Sequence, residues 1–191
     1  MPHSTVIPVR PLSQAFTARV PGSKSITNRA LIAAALSETP VTLRGPLSSE
    51  DTDVAMAAMK KLGVNVSVSE GSWTVDGRSF VQDLGNNSDK TDFYLANAGT
   101  AVRFLSAVLC AKGLPCRVHG TERMHQRPIE LLLQGLRDLG GDIQSELNTG
   151  CPPLLIGTAG LHGGQTEISG QVSSQFFSGL MMAAPFAKSE S

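Results

Sequence analysis

Aromatic side chains are scarce in this sequence: seven Phe, one Tyr and one Trp make up 5% of 191 residues. That removes the stacking platforms on which single-stranded nucleic acids are held. Neither sign of charge is in excess, 16 Lys and Arg standing against 16 Asp and Glu, so the basic footprint of a dedicated nucleic-acid binder is missing. Long apolar runs are missing too. The longest, Ala30 to Leu36, falls far short of the ~20 residues that a membrane-crossing helix needs. The opening MPHSTVIPVRPL lacks the charged-then-apolar order of a secretory signal. Cysteines are few and odd in number, and Cys110, Cys116 and Cys151 show no Cys-x-x-Cys spacing, which disfavours a disulfide framework or a zinc site. His3, His119, His125 and His162 are too scattered for metal ligation and are expected on the surface or in loops. These absences predict a cytoplasmic, globular chain with no metal, no nucleic-acid partner and no membrane partner, long enough for one generous domain or two small ones.

What is present is uneven. Residues 1–49 hold Arg10, Arg19, Lys24, Arg29 and Arg44 against the single acid Glu38, and residues 93–129 hold Arg103, Lys112, Arg117, Arg123 and Arg127 against Glu122. The stretch 50–92 between them reverses the sign, with eight acids and four bases. Such patterning is either ordinary surface scatter or two segments that share a cationic cleft for a small anion.

The chain also repeats itself. Arg29-Ala-Leu-Ile-Ala-Ala-Ala-Leu recurs as Arg103-Phe-Leu-Ser-Ala-Val-Leu, offset by 74 residues. Pro40-Val-Thr-Leu-Arg-Gly recurs at Pro115 and Leu62-Gly-Val-Asn-Val at Leu139, offset by 75 and 77. A third copy opens at Ser174, 149 residues after Ser25. Constant order and spacing point to duplication, with units at about 13–82, 83–158 and from about 164 onward. Each unit reads as strand, helix, strand, helix, strand, with a further strand in at least the first. In the first unit, strands are predicted over 15–20, 40–44, 64–68 and 72–75. Helices are predicted over about 26–37 and 49–62, with Gly63 as a stop. Helices near 100–112 and 128–139 follow in the second unit, the latter with Ile129, Leu132, Leu133 and Leu136 on one apolar stripe. The first helix of each unit is apolar nearly all round, which predicts burial. Trp73 and the Met181-Met182 pair read as core, and Cys116 as a buried, inert thiol.

A small, polar segment leads into each of these helices: Pro21-Gly-Ser-Lys-Ser-Ile-Thr-Asn-Arg29, Asn97-Ala-Gly-Thr-Ala-Val-Arg103, and Gly170-Gln-Val-Ser-Ser-Gln175. Helix N-termini present unpaired amides and a positive dipole end, so they attract anions. Ser25 and Arg29 are four apart, as are Gly99 and Arg103, which places each arginine above its loop residue on one helix face. If the units are related by pseudo-symmetry, the three mouths face one side and build an anion cleft. The plainer reading is that the Ser, Thr and Asn residues are N-caps and Pro21-Gly22 a turn. No cap, however, calls for Lys24 and Arg29 in one segment leading into a buried helix. Neither Gly-x-x-x-x-Gly-Lys-Ser/Thr nor Gly-x-Gly-x-x-Gly is found, which disfavours an ordinary nucleotide site.

The segments Pro21-Gly-Ser-Lys-Ser-Ile-Thr-Asn-Arg-Ala, Asn97-Ala-Gly-Thr-Ala-Val-Arg, Arg123-Met-His-Gln-Arg-Pro-Ile and Val172-Ser-Ser-Gln-Phe resemble the 5-enolpyruvylshikimate-3-phosphate synthase family, in family order along the whole chain. The resemblance implies an α/β fold, the inverted-barrel enolpyruvyl transferase lobe of repeated βαβαββ units around buried helices, here with the third unit incomplete. It implies transfer of the enolpyruvyl group of phosphoenolpyruvate to the 5-hydroxyl of shikimate 3-phosphate, without metal or organic cofactor, by an enzyme that is a monomer at full length. By motif match, Lys24, Ser25, Arg29, Ser173, Ser174 and Gln175 would bind shikimate 3-phosphate, and Lys24, Gly99, Arg127 and Gln175 would bind phosphoenolpyruvate. Asn97, Thr100 and Arg103 would support them. Arginine suits this task because its planar fork pairs two oxygens of a phosphate or carboxylate at once.

Phe104 and Ala96 depart from the Pro and Gly frequent in the family. The unmodified Gly99 implies room for the phosphoenolpyruvate mimic glyphosate. The resemblance further implies a second lobe that supplies the acid/base groups, so no catalytic residue is expected in this chain. Residues 1–12 would pair with that lobe, and the chain is expected to be an N-terminal portion that is inactive alone. Two alternatives stay open: a relative acting on UDP-N-acetylglucosamine, and a non-catalytic half-lobe that works only with a partner chain.

Overall fold

The computed structural model describes residues 17, 18, 20–81 and 91–190. The expected opening strand at 1–12 lies outside the described residues, as do residues 13–16, 19 and 82 of the first unit. Residues 17, 18 and 20, the described part of the strand expected over 15–20, are not in a strand.

Two units share one plan. The first contains α1 (Lys24–Ala35), β1 (Val41–Arg44), α2 (Glu50–Lys61), β2 (Asn65–Ser69) and β3 (Ser72–Asp76). The second contains β4 (Asp92–Tyr94), α3 (Gly99–Ala111), β5 (Cys116–His119), a 3-10 turn at Met124–Gln126, α4 (Glu130–Asp138), β6 (Ile143–Ser145) and β7 (Leu154–Ile156). In each unit the last strand inserts between two earlier ones, giving the orders β1-β3-β2 and β4-β5-β7-β6. All pairs are antiparallel except β4 with β5, which run parallel through the crossover helix α3. Beyond the second unit lie α5 (Ser174–Ala183) and a 3-10 turn at Ala184–Phe186.

Local chemistry sets these boundaries. Thr52 accepts the Ser49 amide at 2.9 Å at the start of α2. Glu50, Asp51 and Asp53 then occupy its first turn and Lys60 and Lys61 its last, an arrangement that complements the helix dipole. Gly63 ends it with φ 84°, a backbone conformation that glycine adopts without steric cost. The stripe Ile129, Leu132, Leu133 and Leu136 is buried as its spacing predicts.

At the centre lies α3, buried at every residue except Arg103. Close packing against α5 depends on Gly179, where a Cβ would stand 3.3 Å from the Arg103 carbonyl oxygen and 3.5 Å from the Ala107 Cβ. Burial of the other two entrance helices is one-sided, contrary to the all-round burial expected of them. Ile26 of α1 is 65% exposed, and on α5 Met181 is 75% and Phe177 39% exposed. Met181 is therefore not core, although Trp73 is. The reason is positional: α3 is covered by helices and sheet on all sides, whereas α1 and α5 flank it and keep an outward face. Of the histidines, His119 sits in β5 with its Nε2 2.9 Å from Asp92 Oδ2, not in a loop.

Two outcomes check this architecture. Leu136→Ala, at a fully buried position, should cost about 3 kcal/mol in a denaturant melt. Burial pushes the thiols of Cys110 and Cys116 up to about 12, so neither forms thiolate near pH 8. Ellman's reagent on the native chain at pH 8 should modify the half-buried Cys151 and spare the other two until denaturant is added. Because those folded-state values lie above the ordinary 9.0, the protonated thiols favour the native state fully below pH ~9. That contribution is lost as pH climbs toward ~12.

Candidate anion-binding site

The three helix mouths carry their chemistry on neighbouring turns. At α1, Ser23 caps the helix by accepting the Ile26 amide at 3.5 Å. Lys24 follows and pairs with Asp51 of α2, Nζ to Oδ2 3.0 Å. One turn on, Arg29 donates from Nε to Ser178 Oγ of α5 at 3.0 Å and from Nη1 to the Ser25 carbonyl at 3.4 Å.

At α3 no side chain caps the helix, and its first intrahelical bond runs from the Val102 amide to Ala98. The Gly99 amide turns back to the Asn97 carbonyl at 2.9 Å, while those of Thr100 and Ala101 are among the unpaired donors that every helix start exposes. Arg103 donates from Nη1 to Gln175 Oε1 at 2.8 Å and to the Gly99 carbonyl at 3.3 Å. Its Nη2 reaches the Pro128 carbonyl at 3.4 Å. Arg127 ends the 3-10 turn and donates from Nη1 to the Asn97 carbonyl at 3.3 Å. A Cβ at Gly99 would lie 2.5 Å from Arg127 Nη1 and 3.1 Å from Arg103 Nη1, so both guanidinium groups rest against the hydrogen of this glycine. At α5, Ser173 caps by accepting the Gln175 amide at 3.2 Å.

Charge is what distinguishes this cluster. Arg78, Arg117 and Arg137 elsewhere each pair with an acid, Asp76, Glu146 and Glu130. Among the described residues Arg29, Arg103 and Arg127 form no ion pair with a carboxylate. Burial, and then the adjoining Arg127, lowers the pKa of Arg103 from the ordinary arginine value. Two cations beside one glycine, with carbonyl oxygens as their partners, make a place where a multiply charged oxyanion is stabilised. A cavity of about 670 Å³ bounded by Asp138, Thr166, Glu167, Leu180 and Met181 shares no residue with the cluster and brings no cations together. Charge convergence therefore outweighs volume in choosing the site. Among the described residues no group of three or more His, Cys, Asp or Glu could hold a metal ion. No helix among them is long and apolar enough to cross a membrane.

Residues 10–191 match the family described as EPSP synthase (3-phosphoshikimate 1-carboxyvinyltransferase). The chain belongs to the EPSP synthase family.

Named relatives agree. The chain is 44% identical over 180 residues to the 3-phosphoshikimate 1-carboxyvinyltransferase of Burkholderia orbicola (strain MC0-3), covering 93% of this chain and 40% of that protein. It is 43% identical over 183 residues to the enzyme of that name from Paraburkholderia phymatum, covering 95% and 41%. The fold is similar to that of the EPSP synthase from Acinetobacter baumannii, with TM-score 0.76 and 30% identity over 88% of this chain and 38% of that one. The chain thus spans about 40% of the length of the curated relatives it matches.

In this EPSP synthase family member, Arg29, Gly99, Arg103, Arg127, Ser174 and Gln175 fall in one connected array. Ser178 Oγ closes it by donating to the Ser174 carbonyl at 3.1 Å. Lys24 does not join that array and is held by Asp51 instead. The Ser23 and Ser173 hydroxyls act as the plain helix caps that the sequence also allowed. Ser178 and Asp51 went unnoticed in the sequence. A signal existed for Ser178, because adding the third-copy offset of 149 to Arg29 lands on it. Asp51 lies within an acidic helix start that reads as ordinary dipole complementation.

Gly99→Ala should push the Arg127 tip aside without unfolding the chain, since the obstructed atom ends a flexible side chain. The expected outcome is about tenfold weaker binding of inorganic phosphate, as a probe oxyanion, in a calorimetric titration, with a melting temperature near that of the unmodified chain.

Proposed function

We propose that the chain forms the substrate-binding part of a transferase that moves the enolpyruvyl group of phosphoenolpyruvate to the 5-hydroxyl of shikimate 3-phosphate, releasing phosphate. The observation that carries this reading is the convergence of Arg29, Arg103 and Arg127 on the mouths of α1, α3 and α5 without acid partners. The names of its relatives support the choice of substrates.

In this reading Arg29 and Ser25 hold shikimate 3-phosphate, and Ser173 and Ser174 bind its 3-phosphate. Arg127 and the Gly99 backbone grip phosphoenolpyruvate, where the absent Cβ lets an oxyanion approach both guanidinium groups. Gln175, already a partner of Arg103, stands between the two ligands. Lys24 serves both by exchanging Asp51 for a substrate oxygen. Two polyanions repel one another, and fixed cations offset that repulsion while the reacting atoms are held side by side. No residue of this chain is assigned the proton transfers.

Shikimate 3-phosphate and shikimate, titrated separately into the purified chain, decide the matter. The phosphorylated ligand should bind at least about tenfold more tightly, as charge-assisted hydrogen bonds to a phosphate imply. Ser174→Ala should narrow the difference, and Arg29→Ala should weaken binding of shikimate 3-phosphate. Equal affinity for the two ligands, or a response to a UDP-sugar in their place, would overturn the proposal.

A further inference from the structure

Neutral groups alone seat Arg29. Its guanidinium carbon lies 5.2 Å from the centroid of the Phe104 ring, which is fully buried on α3. Ser178 spends its single hydrogen on the Ser174 carbonyl, so its lone pairs are left to accept the Arg29 Nε–H. The Ser25 carbonyl takes one Nη1 hydrogen. One Nη1 hydrogen and both Nη2 hydrogens are then uncommitted among the described residues.

The same hold recurs at Arg103. Its guanidinium carbon lies 5.3 Å from the Phe176 ring of α5, and Nη1 bonds a side chain of α5 and the carbonyl four residues back on its own helix. Each arginine therefore rests on a ring from the next entrance helix, bonds its own helix, and is pinned by a polar side chain of α5. A ring face attracts a cation without cancelling its charge, whereas a carboxylate in that place would compete with any incoming anion.

We propose that Phe104 and Ser178 are positioning residues for Arg29, fixing the plane of its guanidinium so that the free edge forks a pair of anionic oxygens of shikimate 3-phosphate. This rests on the functional reading above and deepens it.

A double-mutant cycle tests it. Phe104→Leu and Ser178→Ala are each made in the chain as it stands and in an Arg29→Ala background, and shikimate 3-phosphate affinity is measured by calorimetry. The arginine Nε–Hε resonance of Arg29 is followed by NMR without ligand. Each single change should weaken binding about three- to tenfold when Arg29 is present and have no further effect when it is absent. Phe104→Leu should also remove a ring-current shift from the Arg29 Hε signal. Losses that recur unchanged in the Arg29→Ala background show a merely structural role and overturn the proposal, as does an Arg29 Hε signal indifferent to Phe104. Should Phe104→Leu fail to fold, Ser178→Ala decides the cycle alone. Failure of the unmodified chain to prefer shikimate 3-phosphate over shikimate overturns the functional reading instead, with the Arg29 signal still reporting whether the seat exists.

Discussion

A guanidinium group that leaves bulk water needs either a counter-charge or something to stand in for one. Arg29, Arg103 and Arg127 receive stand-ins: aromatic faces, main-chain carbonyls, a hydroxyl and a side-chain amide. These take part of the hydrogen-bonding capacity, with Arg103 Nε buried and without a partner among the described residues, and they leave the positive charge intact. The arginines with acid partners, by contrast, are already neutralised at the surface, where such pairs contribute little. Among the described residues the protein thus keeps two kinds of arginine, and three of those without acid partners, Arg29, Arg103 and Arg127, lie near helix starts. An oxyanion arriving there meets cations whose partners do not have to be displaced first.

The fold exists to bring those helix starts together. Strands made last in each of the two units insert between earlier ones, and the crossover helix α3 lies at the centre with α1 and α5 beside it. Gly179 brings α5 close to α3, and Gly99 brings two guanidinium groups against one backbone. Both glycines act through the Cβ that they lack, and neither has a positive φ. The repeat relation carries chemistry as well as shape. Arg29 and Arg103 are equivalent positions, and their third equivalent is Ser178, which converts what would be a third cation into an acceptor for the first. Three arginines packed at equivalent sites would repel one another. Two arginines and a serine make a charged cleft that holds together.

Lys24 shows the other side of the same balance. More exposed than the arginine array, it pairs with Asp51 at the dipole-favoured start of α2. A flexible ammonium can exchange partners at small cost, whereas a seated guanidinium is already in place. Mobile and fixed cations therefore border the same mouths.

Much of this was legible in the residues themselves. Offsets of 74 and 149 pointed to repeated units, while apolar spacing located α4 with its buried stripe and Gly63 marked a helix end, because these two depend on local steric and solvation preferences. The segments leading into α1, α3 and α5 pointed to a candidate site for anions, since they combine small residues, helix starts and cations in one stretch. What the order of residues could not convey was pairing across the chain: Ser178 with Arg29, Phe104 beneath Arg29, Asp51 with Lys24, and the outward face that leaves Met181 in solvent. Sequence by itself determined which groups carry charge and which helices are apolar. Tertiary structure alone decided which cations keep their charge uncompensated, because that depends on what lies within a few ångströms in space and not on what lies nearby along the backbone.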